Sequence, residues 1–173
     1  MGLGHSPSIV VDGLVFYIDP NNPNCYPGFG NTLYNIVNTS IGGTFVGYTS
    51  NPIDNTETRS IFFDGTNDYV DMNYPSQINT GSPITLALWA KWITTGSTTA
   101  TIQTLVDNNY QTAYIDGPGS IGFFIQDRPD LGGVLEWGAK PGVGITRCTS
   151  TFVVGDGKWH YITATNDGAN SIL

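Results

Sequence analysis

Residues 84–93 (ITLALWAKWI) alternate strictly, with Ile84, Leu86, Leu88, Ala90 and Trp92 on one side and Thr85, Ala87, Trp89 and Lys91 on the other. A period of two marks a strand with one face in a core. The segment therefore predicts a half-buried strand that sends Trp89 and Trp92 in opposite directions. Shorter β-rich runs bounded by turn residues surround it. Residues 13–19 (GLVFYID) read as a first strand stopped by Pro20-Asn21-Asn22-Pro23, and 33–37 and 44–48 as two weaker ones. Residues 59–64 (RSIFFD) and 69–72 predict a hairpin across Gly65-Thr66-Asn67-Asp68.

Further strands are expected at 102–107, 113–116, 121–126, 134–137, 145–154 and 158–165. Between them, Asp116-Gly117-Pro118-Gly119, Gly132-Gly133 and Gly155-Asp156-Gly157 supply the backbone angles that tight connections need. Helical periodicity is absent, and 22 glycines and 10 prolines interrupt the chain too often for long helices. Many short strands of this kind predict an all-β sandwich or barrel. After the turn at 166–170, Ser171-Ile172-Leu173 read as the start of another strand, whose edge would be open to pairing.

Composition narrows the partners. The 173 residues fit one domain, and 39% hydrophobic with 12% aromatic residues are enough for a core. With six Lys and Arg and a net charge of −8, the chain lacks the basic stripe that a phosphate backbone requires, so nucleic acid is not expected as a partner. An anionic membrane surface is disfavoured for the same reason, and no stretch has the length of a membrane-spanning helix. Residues 1–8 lack the charged and apolar pattern of a secretion signal. Cys25 and Cys148 are one potential disulfide pair, but their spacing does not place them together.

SIVVDGLVFYIDPNNPNCYPG, SIFFDGTNDYVDM, ITLALWAKW and DGKWHYITAT, in that order, resemble the landmarks of laminin-G-like, concanavalin A-like domains. FDGTNDYV and DGKWHYI are the most specific of them. The opening, HSPSIVVDGLVFYIDPNNPNCYPG, is similar to a form of this domain found in structural proteins of tailed bacteriophages. The resemblance implies an antiparallel two-sheet jelly roll over 13–173, preceded by an arm at 1–12 and lacking the family's final strands. It also implies a virion protein of fibre, baseplate or capsid surface, with a lectin-like domain touching host glycans or other virion proteins. A secreted or cell-surface adhesion module and a purely structural assembly subunit, with a homo-oligomer compatible, are the alternatives.

Some relatives of that fold are glycoside hydrolases, which need two carboxyl groups about 5–10 Å apart. Glu57 and Glu136 have no acidic neighbour at i±2 or i±4, so no enzyme is expected. His5 and His160 lack metal spacing and a triad partner. Calcium is the cofactor the resemblance implies, at Asp107, Asn109, Asp127 and Asp130, where two strand ends would bring oxygen ligands together. For a glycan, exposed rings beside amides are the needed chemistry. Tyr110 beside Asn108 and Asn109, Trp137 beside the 138–144 loop, and Trp89 on the non-core face are the candidates.

Overall fold

The structure is a computed structural model that describes residues 12–56, 59–73, 78, 83–94, 102–108, 122–140 and 145–173. It is all-β and antiparallel, and the chain divides into two compact units, Met1–Pro75 and Ser76–Leu173.

The first unit carries β1 (Thr32–Tyr34), β2 (Gly42–Val46), β3 (Ile53–Asp54), β4 (Ser60–Ile61) and β5 (Tyr69–Asp71). β1, β2 and β5 form one sheet in that order, and β3 and β4 form a separate two-residue ladder. Its core gathers Cys25, Tyr26, Leu33, Phe45 and Ile53, with Phe45 edge-on to both Tyr26 and Tyr48. Cys25 and Cys148 are both free cysteines.

Two expectations fail in this unit. Residues 14–19 are in no sheet, and the buried Asn35 side chain bonds their backbone instead. Its Oδ1 accepts from the Tyr17 and Val37 amides, and its Nδ2 donates to the Val15 carbonyl. The hairpin expected over 59–72 does not form either. β4 pairs with β3, while β5 pairs with β2 through Thr44–Asp71, Phe45–Val70 and Val46–Tyr69. The intervening turn is held by carboxylates, with Asp64 accepting from the Thr66 amide and Asp68 from the Asp64 amide.

The second unit carries β6 (Ile84–Ile93), β7 (Gln103–Asp107), β8 (Gly122–Arg128), β9 (Val134–Lys140), β10 (Thr146–Val153), β11 (Asp156–Asn166) and β12 (Ser171–Ile172). One sheet has the order β10-β9-β8-β7 and the other β12-β11-β6. A single apolar cluster joins them: Phe123 and Ile125 of β8, Leu135, Trp137 and Ala139 of β9, and Ile162 and Ala164 of β11. Ile84, Leu86, Leu88, Ala90 and Trp92 pack against it from β6, the face their alternation assigned. The strand expected at 113–116 and the turn at 116–119 lie outside the described residues.

β11 begins at Asp156, so the expected turn there is partly absorbed into the strand. Gly157, at φ +77°, takes up a register shift between Asp156 and Trp159. Such a bulge needs a residue tolerant of positive φ. Between β8 and β9, a 3-10 turn at Pro129–Leu131 ends on Gly132 in the left-handed region.

Candidate functional site

β6 and β11 pair along almost their whole length, and that register builds an exposed face. Trp89 stands opposite Tyr161, Ala87 opposite Thr163, and Thr85 opposite Thr165. The Trp89 and Tyr161 rings are 64% and 59% exposed, with centroids 5.2 Å apart and planes tilted by 46°. The Thr85 and Thr165 hydroxyls lie 3.3 Å apart at one end of the row. At the other end Ile93 is exposed. A cross-strand pair like this holds its rings by backbone register, so the two faces are presented to solvent without a costly ordering of side chains.

The other proposed glycan residues are placed differently. Trp137 is 0% exposed; its ring packs on Phe123 and its Nε1 donates to the Thr165 carbonyl. It is a core residue because β9 runs on to Lys140, and its odd positions 135, 137 and 139 all face inward. Asn108 is also buried, and its Nδ2 donates to the Ile78 carbonyl. A methyl at Gly122 would lie 3.1 Å from Asn108 Oδ1, so this side chain is enclosed. Asn109 and Tyr110 lie outside the described residues. Of the two described rings singled out from sequence, Trp89 is on an open face and Trp137 is not.

Of the residues expected to share a calcium ion, Asn109 lies outside the described residues, and the described ones are placed apart. Asp107 pairs with Phe124 and Asp127 with Gln103, at opposite ends of the β7–β8 ladder, roughly 13 Å apart at about 3.3 Å per residue. Asp127 is fully buried and accepts from Thr94 Oγ1 at 2.8 Å. Both oxygens of Asp130 are bonded to Arg128, which pulls its carboxyl below the usual range. Among the described residues no three His, Cys, Asp or Glu side chains stand together as metal ligands. The described positions therefore do not fit one shared calcium site.

Glu136 is held between two guanidinium groups. It pairs with Arg128 through one oxygen and with Arg147 through the other at 3.4 Å. Such an arrangement commits both carboxyl oxygens to fixed partners. Glu57 lies outside the described residues.

On the core side of β11, His160 packs edge-on to Trp92 and bonds through Nε2 to Asp156 Oδ1 at 2.8 Å. That bond, with the Lys158 amide donating to the same oxygen, lowers the Asp156 carboxyl from 3.8 to about 2. A depressed carboxyl contributes stability above its unfolded value and loses it as pH falls through its folded one. The contribution is thus complete at neutral pH and lost between about pH 4 and 2. Carbon-13 NMR of the Asp156 carboxyl should show a midpoint near 2. In His160→Ala that midpoint should rise toward 3.8; an unchanged midpoint would rule out the His160 bond as its main cause.

Compared with known proteins, the chain matches no family model, no curated protein and no solved structure.

Proposed function

We infer that the protein is a non-catalytic structural component of a tailed-phage virion, carrying a concanavalin A-like jelly roll that acts as a lectin-like contact module. The sequence landmarks support the family and the setting, and the two antiparallel sheets around one core are what such a domain requires. The observation that carries the contact role is the exposed Trp89–Tyr161 pair on β6 and β11. Two fixed ring faces can cover the apolar faces of consecutive sugars, while the nearby threonine hydroxyls serve as donors and acceptors for sugar hydroxyls. A net charge of −8 favours neutral glycans over polyanionic ones.

A glycan array probed with the 173-residue chain, with and without calcium, tests this reading. Neutral glycans should be bound in both conditions, since the described acidic residues do not assemble a common cation site. Trp89→Ala should reduce the signal about tenfold, which corresponds to about 1.4 kcal/mol. An array without hits, or hits retained in full by Trp89→Ala, would remove the glycan role from this face. The alternative of an assembly subunit draws on one observation: among the described residues, the β11 edge opposite β6 is paired at Thr165 and Asn166 alone.

A further inference from the structure

On the exposed face of β6 and β11 the row of cross-strand pairs runs from Lys91–Trp159 through Trp89–Tyr161 and Ala87–Thr163 to Thr85–Thr165. Side chains on one face recur every second residue, about 6.8 Å apart at about 3.4 Å per residue. Ala87 is exposed, and its side chain ends at Cβ between the longer Thr85 and Trp89. Directly across the strands stands Thr163, also exposed. Ala87 is therefore the floor of a notch beside the Trp89 ring, with Thr163 across from it and the Thr85–Thr165 pair at its far end. In the opposite direction the same step reaches the long side chains of Lys91 and Trp159, so the notch lies on one side of the ring only.

The chemistry of the notch restricts what fits. Its floor is a methyl group, and its polar groups are hydroxyls, each able to donate and to accept. The Thr85 and Thr165 hydroxyls lie 3.3 Å apart, so one O–H donates within the pair, and the pair still presents an O–H donor and acceptor lone pairs. None of Thr85, Ala87, Thr163 and Thr165 carries a charge, so a carboxylate finds no cation among them. A fitting group is neutral, with a methyl for the floor and a donor and an acceptor for the hydroxyls. An acetamido group has all of these. A bare hydroxyl is too short to fill the volume over Ala87 and sets a polar oxygen against a methyl surface.

We propose that the Ala87 notch is a subsite for the acetamido group of an N-acetylhexosamine whose pyranose ring lies on Trp89. The assignment rests on the glycan reading of this face and narrows it to neutral amino sugars. The amide N–H donates to Thr163 Oγ1, the amide carbonyl accepts from the Thr85–Thr165 hydroxyl pair, and the methyl lies on the Ala87 Cβ. Ala87 is the specificity-determining position, because a larger side chain there fills the notch and leaves the Trp89 ring in place.

The probes are the methyl glycosides of N-acetylglucosamine, glucose, N-acetylgalactosamine and galactose, in both anomers, titrated into the 173-residue chain by NMR with the Ala87 methyl as reporter. Each acetamido sugar has a partner that differs only in carrying a hydroxyl at that carbon. At least one acetamido glycoside should bind at least about tenfold more tightly than its partner and should shift the Ala87 methyl resonance. In Ala87→Val, a change that suits an exposed strand position, that preference should fall below about twofold. The methyl shift in the unaltered chain decides the matter if the variant does not fold. Equal affinity within every pair, a preference kept by Ala87→Val, or binding that leaves the Ala87 methyl unmoved would overturn the subsite. So would a failure of every acetamido glycoside to bind. The glycan reading then stands if array hits are weakened in Trp89→Ala, and falls with the subsite if they are not.

Discussion

Trp137→Ala is expected to destabilise the second unit by about 3–5 kcal/mol, the cost of truncating a large buried aromatic. Trp137 is fully buried, lies against Phe123, and sits in the cluster shared by both sheets. Its loss removes apolar contacts from both layers and also leaves the Thr165 carbonyl without its indole donor. For a unit of this size the unfolding midpoint should fall by on the order of 15 °C or more. Tryptophan fluorescence is a clean reporter, because Trp89, Trp92, Trp137 and Trp159 all belong to the second unit. Trp89→Ala, on the open face, should shift the midpoint by far less. Equal costs for the two substitutions would contradict the assignment of core and face.

Gly155→Ala should be nearly as costly, for a different reason. A methyl group there would lie 1.8 Å from Thr94 Oγ1 and 2.7 Å from the Thr94 amide nitrogen. The backbone is pinned at this point, since the Thr94 amide donates to the Gly155 carbonyl at 2.9 Å. The Thr94 hydroxyl must therefore move, and it is the donor to the buried Asp127 carboxylate. Asp127 Oδ1 has no partner among the described residues, so loss of the Thr94 hydroxyl removes the hydrogen bond to its other oxygen as well. Overpacking and an unsatisfied buried group together amount to roughly 2–5 kcal/mol. Chemical denaturation of Gly155→Ala, Thr94→Ala and the double variant checks the cause. Both changes act through one hydrogen bond, so their costs should be clearly less than additive. Full additivity would show that Gly155 acts by another route.

Both effects sit in or directly beside strands whose existence is readable in the sequence. Ile84 to Ile93 alternates over ten residues, long enough for its periodicity to fix both the strand and its core face. β7 to β11 are also visible, with ends displaced by at most three residues, because glycines and prolines mark their limits. The first unit was less legible. Its strands are two to five residues long, too short for periodicity to separate one pairing from another. β5 leaves its sequence neighbour and pairs with β2, a choice made by non-local packing around Phe45 and Val70. Nor does the run GLVFYID announce that a buried asparagine sixteen residues beyond Asp19 will bind its backbone.

The site followed the same division. Trp89 was assigned to the non-core face from alternation alone, and it lies there. Tyr161 was missed, although Tyr161, Thr163 and Thr165 alternate against Ile162 and Ala164 in β11. Recognising it as the partner of Trp89 needed the register between two strands some seventy residues apart, which no local pattern encodes. Trp137 was misplaced because the strand was ended there. Carried on through Ala139, the same alternation puts Leu135, Trp137 and Ala139 on one inward face.

The most direct test of the contact role is an isothermal titration of the strongest array glycan into the unaltered chain, Trp89→Ala and Trp89→Phe. The account predicts a Kd about tenfold weaker for Trp89→Ala and largely restored in Trp89→Phe, because a ring face opposite Tyr161 is what the site requires. Equal affinity in all three proteins, each folded, would contradict it and place glycan contact elsewhere on the molecule.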